Sequence, residues 1–294
     1  MIKFNGTYSA LFSIYDENLN VKCDSVQKLM DYNRNNGLKG FYVGGATGEC
    51  VTLPNKTRIQ MLETAVEYKK DSVIIAHIGS GHWDDTVELV KHADKLNVDA
   101  IASLPPALKA YYSEEETINY YKALSELSSK PLMAYIQAFY QGNIIELTRK
   151  LMEIPNVCGI KLTVPDYYLF ANLRAAFPDI NILNGPDESL LAGLAMGANG
   201  AIGTSYNLLP KTVSEIYDAF KNNDIEKARE RQFALNRAIT TLIGENDAGW
   251  KIPLELLDID PGYTIFPATM PSKEHKKEIL DTLKANGTVG EMLR

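Results

Sequence analysis

The stretch Val157-Cys158-Gly159-Ile160-Lys161-Leu162 is a short apolar run interrupted near its end by one lysine. Short apolar runs bounded by turn residues read as strands buried on both faces of a parallel sheet. A lysine in such a run breaks the pattern. At the mouth of a barrel strand its amine is partly withdrawn from water. Desolvation favours the neutral, nucleophilic form that imine formation with a ketone requires. The alternative is a lysine whose stem lies along apolar surface while the ammonium snorkels to solvent.

Seven further runs repeat the pattern, at residues 7–12, 40–43, 73–78, 100–104, 132–135, 181–183 and 200–203, and most are bounded by Gly, Pro, Asn or Asp. Helical patterns fill the gaps. Ile59, Leu62 and Val66 recur at three and four residues, as do Val213, Ile216 and Phe220. Ser113 followed by Glu116 makes a capping box before Ile118. Eight strands with helical crossovers predict an α/β fold, a closed (β/α)8 TIM barrel. A doubly wound open sheet is the alternative. The barrel takes residues 1–221. Residues 222–294 carry helical patterns over 225–242 and 275–283, broken by Pro253, Pro261, Pro267 and Pro271. They read as additional C-terminal helices packed on the barrel. No linker or internal repeat separates the two parts, so residues 1–294 are expected to form a single domain.

The bulk numbers agree. The chain has 294 residues and 45% hydrophobic content. One large core is sufficient, because a chain of this size buries roughly 75% of its extended-chain surface. Thirty basic residues face thirty-seven acidic ones, a net charge of −7. That balance disfavours nucleic acid as a partner, but not an anionic small molecule held by hydroxyls and backbone N–H groups. Cys23, Cys50 and Cys158 make neither a closed disulfide set nor a metal-ligand spacing, so a reducing, cytoplasmic location is expected. The chain starts without the apolar region of a signal peptide. No stretch of about 18 apolar residues exists to engage a membrane.

Four features fall together at the carboxyl ends of the expected strands, where barrels place their chemistry. Gly44-Gly45-Ala46-Thr47-Gly48-Glu49 follows the second strand. Its glycines let the backbone turn tightly with N–H groups exposed, and Thr47 adds a hydroxyl. Such a nest suits a carboxylate or phosphate, unless it is a plain tight turn. The glycine spacing is not that of a dinucleotide fingerprint. Tyr135 ends the fifth run, as a proton relay or as a rim aromatic. It lies 26 residues before Lys161, about one strand–helix unit, which places the two on adjacent strands. Asn184-Gly185-Pro186-Asp187-Glu188 follows the seventh strand and Gly203-Thr204-Ser205-Tyr206-Asn207 the eighth. These supply carboxylates, an amide and hydroxyls for a polyhydroxylated substrate, or caps for the following helices. His77 and His82 straddle a loop and read as packing or rim residues more readily than as metal ligands.

These segments, in this order, resemble the pyruvate-dependent class I aldolases of the N-acetylneuraminate lyase and dihydrodipicolinate synthase family, over nearly the whole chain. The glycine-rich loop, Gly159-Ile160-Lys161 and the two late loops carry the resemblance, and the late loops look more like the lyase branch. The resemblance implies that Lys161 forms the Schiff base and that Tyr135 handles protons. It implies that Ala46 and Thr47 hold the substrate carboxylate, and that Asp187, Glu188 and Thr204 contact the hydroxyls of a sugar tail. Thr163 and Gly185 complete the expected substrate-binding set. The implied reaction cleaves sialic acid (N-acetylneuraminate) to N-acetylmannosamine and pyruvate, in a homotetramer, without metal or organic cofactor.

The chain also departs from the family pattern. Ala46-Thr47 stands where two hydroxyl residues are common. Ile136-Gln137-Ala138 replaces the usual segment after the tyrosine. Leu108-Lys109 stands where a tyrosine pair is common, with Tyr111-Tyr112 just beyond. No arginine lies between Tyr135 and Arg149, which counts against the synthase branch and its aspartate semialdehyde substrate. The competing readings are an aldolase for another 2-keto acid, such as a 2-keto-3-deoxy sugar acid, a phosphate-binding barrel isomerase, and a non-catalytic barrel. Asp187 and Glu188 in the last loops argue against phosphate.

Overall fold

The computed structural model describes residues 3–106 and 112–294. Leu108, Lys109 and Tyr111, singled out in the sequence, lie outside the described residues. Eight parallel strands close into a barrel in sequence order. They are β1 (Gly6–Ala10), β2 (Gly40–Val43), β3 (Val73–His77), β4 (Ala100–Ser103), β5 (Leu132–Gln137), β6 (Val157–Thr163), β7 (Asn181–Asn184) and β8 (Gly200–Gly203). Between and after them run α1 (Cys23–Asn35), α2 (Asn55–Glu67), α3 (Trp83–Asp94), α4 (Glu114–Leu127), α5 (Ile144–Leu151), α6 (Tyr167–Ala176), α7 (Leu190–Ala195) and α8 (Pro210–Lys221). Each strand pairs with the next and β8 with β1, with one register shift between β5 and β6 at Leu132 and Met133, and this closure rules out the open doubly wound sheet.

Two apolar layers hold the barrel. Tyr8, Ala10, Tyr42, Ile75, Ala102, Met133, Leu183 and Ile202 fill its interior. The larger layer lies between strands and helices, with Phe41, Ile74, Ile101, Ile160, Leu162 and Ile182 facing residues such as Leu62, Leu124, Phe170 and Val213. Both faces of each strand are therefore buried, which is why the strands read as apolar runs rather than alternating ones. The capping box is present. Ser113 accepts from the Glu116 N–H at 3.2 Å, and Glu116 accepts from the Ser113 N–H at 2.8 Å.

Some strand ends differ from the sequence expectation. β1 stops at Ala10 rather than at residue 12, because the Phe12 N–H turns to the Asn207 side chain at 3.3 Å. β5 and β6 run further, to Gln137 and Thr163. Their last residues are polar and end the apolar signal, but the barrel mouth accepts polar side chains.

Four more helices follow: α9 (Ile225–Leu242), α10 (Asp247–Lys251), α11 (Lys273–Ala285) and α12 (Thr288–Met292). α9 matches the expected range and packs on α8. It also braces the turn after β7: Gln232 Nε2 donates to the Asp187 carbonyl at 3.1 Å, and Asn236 Nδ2 to the Glu188 carbonyl at 3.0 Å. Among the described residues no helix is long and apolar enough to cross a membrane.

Candidate active site

Register sets the centre. Tyr135 pairs with Lys161, and Lys161 with Leu183. Partners in a parallel pair point the same way, and Leu183 belongs to the barrel interior. Lys161 and Tyr135 therefore project inward near the carboxyl ends of their strands, only 7% and 5% exposed. The Lys161 Nζ lies 4.1 Å from the Tyr135 ring centroid and 4.8 Å from that of Tyr42. The amine is enclosed and does not snorkel to the outer surface.

One layer higher, the register places Gln137 beside Thr163. Both reach the Tyr135 phenol: Gln137 Nε2 donates to its oxygen at 2.8 Å and Thr163 Oγ1 at 3.3 Å. Burial pushes the phenol up. The Lys161 charge and hydrogen bonds from Thr163, Gln137 and Lys161 outweigh it, so Tyr135 titrates below an ordinary tyrosine. Its neighbours go the other way. Burial holds Tyr42 and Tyr121 well above the usual range. His77 on β3 packs as expected: its Nδ1 meets the Tyr42 hydroxyl at 2.9 Å. Burial, then Arg58 and Lys161, lowers its pKa well below that of a free imidazole, so the ring is neutral.

The glycine-rich loop is a turn with open donors. Gly44 has φ +73°, and a Cβ at Gly45 would meet the Tyr42 ring at 2.4 Å. The turn closes through the Glu49 and Cys50 N–H groups, which donate to Ala46 and Gly45 carbonyls at 2.9 and 3.1 Å. Among the described residues, the N–H groups of Ala46 and Thr47 have no acceptor. The Thr47 hydroxyl lies 2.6 Å from that of Thr204. Two buried cations that the sequence did not single out anchor this loop. Arg58 Nη2 donates to the carbonyls of Gly79, His77 and Gly44 at 2.9, 3.2 and 3.4 Å, tying the β2 and β3 loops together. Lys251 Nζ pairs with Glu49 Oε1 at 3.0 Å, and the Tyr15 hydroxyl donates to the other carboxylate oxygen.

A cavity of ≈560 Å³ opens above. Ala46, Thr47, Thr163, Gly185, Asp187, Glu188 and Thr204, the whole expected substrate-binding set, line it. Tyr135 and Lys161 are not among its lining residues, and Thr163 bridges from the cavity wall to the Tyr135 phenol. Gly185 packs on Thr163 so closely that a Cβ there would meet its Oγ1 at 1.9 Å. Neither Asp187 nor Glu188 caps the helix that follows β7. The Asp187 carboxylate instead accepts from the Ser205 N–H at 2.7 Å and hydroxyl at 2.6 Å. Burial pushes Asp187 up to about 6, against the pull of those bonds. The far wall comes from the C-terminal helices, through Ile239, Glu245, Asn246, Asp247 and Trp250. No sequence signal assigned that wall beyond the polar run between α9 and α10. Its lining holds four carboxylate residues, Asp187, Glu188, Glu245 and Asp247, and no lysine or arginine.

The fold and site define a barrel with a buried lysine at its mouth, below a carboxylate- and hydroxyl-lined cleft. The Dihydrodipicolinate synthetase family model matches residues 3–286, and the chain belongs to that family. The chain is 33% identical over 285 residues to N-acetylneuraminate lyase 2 of Escherichia coli O6:H1, covering 96% of this chain and 93% of that one. The structure matches the sialic acid aldolase of Ruminococcus gnavus with a TM-score of 0.91 at 26% identity, covering 98% of each chain. It matches a catalytic lysine mutant of the same aldolase with a TM-score of 0.89 at 26% identity, covering 98% of this chain and 97% of that one.

Proposed function

We propose that this protein is a class I aldolase that cleaves N-acetylneuraminate to N-acetylmannosamine and pyruvate through a Schiff base on Lys161. The observation that carries the reading is the enclosed Lys161 amine against the Tyr135 phenol, beneath a cleft lined by three threonines and several carboxylates. The family membership and the lyase relatives support the same reaction class.

In this mechanism the open-chain substrate enters with its carboxylate on Thr47 and the Ala46 and Thr47 N–H groups. Neutral Lys161 adds to the C2 ketone, and loss of water leaves a protonated imine, which acts as the electron sink. Tyr135 takes the C4 hydroxyl proton. The C3–C4 electrons move into the imine, releasing N-acetylmannosamine as an aldehyde and leaving an enamine of pyruvate on the lysine. Protonation at C3 and hydrolysis return pyruvate and Lys161. The remaining hydroxyls of the substrate rest on Asp187, Glu188, Thr204, Thr163 and the Gly185 backbone. A tail lined by carboxylates suits a neutral polyol and repels phosphate.

The working unit is a cytoplasmic homotetramer in which residues 1–294 form a single domain, residues 1–221 the barrel and 222–294 the extension packed on it. It needs no metal or organic cofactor. Incubation with N-acetylneuraminate should release pyruvate, and faster than incubation with 2-keto-3-deoxygluconate. Pyruvate release only from the second substrate would assign the cleft to another sugar acid.

A further inference from the structure

We propose that Gln137 is a positioning residue, whose side-chain amide holds the Tyr135 phenol oxygen at the barrel mouth as a proton acceptor. The inference rests on the reading of Tyr135 as proton carrier. The segment Ile136-Gln137-Ala138 marks a departure in the sequence, and the fold gives it a use. Residues two apart on a strand share a face, so Gln137 stands above Tyr135 inside the mouth. Its amide nitrogen lies 2.8 Å from the phenol oxygen, and the Thr163 hydroxyl, its partner in register, lies 3.3 Å from the same atom.

The chemistry follows from the donor inventory. An amide nitrogen only donates, so a phenol oxygen bound by it must accept. With Thr163 donating as well, the oxygen accepts two hydrogen bonds from neutral groups besides that from Lys161, and its own proton is taken by neither of the two. Hydrogen bonds to the charged form of a group favour that form. Below the oxygen, the Lys161 nitrogen lies 4.1 Å from the ring centroid. The backbone of Tyr135 is fixed separately, since its N–H donates to the Tyr121 hydroxyl at 3.1 Å. The titratable groups around the phenol among the described residues are Lys161 on β6, Tyr42 on β2, Tyr121 on α4, and Tyr112 and Tyr140 in the adjacent pocket. Of these, Lys161 is the group that lowers Tyr135, whereas burial raises Tyr42, Tyr121 and Tyr140 themselves. The tilt toward phenolate therefore comes from Lys161, Gln137 and Thr163 together, and Gln137 is the one of the three with no other part in the reaction.

The test uses Gln137→Met, which removes the donor at similar volume, and Gln137→Glu, which replaces it with an acceptor. Borohydride trapping of pyruvate on Lys161 reports whether fold and imine formation survive. In Gln137→Met, trapping should stay at the parent level while kcat falls about ten-fold, as for loss of one hydrogen bond to a charged group. The rising limb of kcat against pH should move about one unit alkaline. Gln137→Glu should lose more turnover and shift further. In a Tyr135→Phe background, Gln137→Met should have no further effect on kcat. A parent pH profile and parent kcat in Gln137→Met overturn the proposal, as does a retained profile in Gln137→Glu, which would mean that the amide accepts from the phenol. Loss of trapping in both variants also overturns it, because the residue would then act on the lysine. Tyr135→Phe separates the two levels. Slow turnover in that variant with parent turnover in Gln137→Met removes only the positioning role, whereas near-parent turnover in Tyr135→Phe removes the proton carrier as well.

Discussion

Lys161 and Lys251 are both buried at the strand-end side of the barrel, 7% and 1% exposed, yet their surroundings are opposite. Lys251 meets Glu49 Oε1 at 3.0 Å, the Ser13 carbonyl at 3.2 Å and the Tyr263 carbonyl at 2.8 Å. An ammonium has three donors, and all three are filled. Lys161 has no ion pair among the described residues. Its neighbours are the faces of Tyr135 and Tyr42, and its side-chain hydrogen bond goes to the Tyr135 phenol, the residue it would react beside. The difference separates a lysine used to hold a loop from one left available to react. Glu49, with φ +60°, is the last residue of the glycine-rich loop. Lys251 therefore ties the C-terminal helices to the segment that would receive the substrate carboxylate, and Lys161 waits beside it.

Three substitutions probe this contrast, in order of expected effect. Lys161→Ala should eliminate pyruvate release from N-acetylneuraminate while leaving the protein folded, because it removes the amine that forms the Schiff base. Turnover within about ten-fold of the parent would move the nucleophile elsewhere. Lys251→Met should act on stability instead. It leaves the Glu49 carboxylate buried without its cation, a loss of about 3–5 kcal/mol. Urea denaturation reads that loss, and the folded fraction should still trap pyruvate on Lys161. Unchanged stability would make the pair incidental.

The smallest effect belongs to Asp187, whose charge burial opposes more strongly than the Ser205 bonds and Lys161 support it. Its folded value of about 6 lies above that of an unfolded carboxyl. The native state thus binds this proton more tightly, and stability falls as pH rises from about 4 to about 6. Asp187→Asn should remove that decline, worth on the order of 2–3 kcal/mol between the two limits. Stability measured across this interval should diverge between parent and variant, and parallel curves would contradict the assignment.

Much of this was legible in the sequence because it is local. The eight strands announce themselves as apolar runs since both of their faces are buried, and Ile225–Leu242 shows its helical period directly. The pairing of Tyr135 with Lys161 follows from one strand–helix unit of spacing. The rest depends on distant partners. Glu49 and Lys251 are separated by 202 residues, and no periodicity links them. Glu245, Asn246 and Asp247 wall the cavity only because α9 brings the chain back over the β7 and β8 loops. Gln137 ends the apolar signal of β5, so it reads as loop until the register is known. Asp187 and Glu188 read as caps or as ligands; neither caps the helix after β7, and the Asp187 carboxylate reaches Ser205 after β8 instead.

The most direct measurement is borohydride reduction of the protein in the presence of pyruvate, followed by peptide mapping. The account predicts one stable adduct, on Lys161, with Lys251 unmodified. An adduct on Lys251 or any other lysine, or no adduct at all, would contradict it.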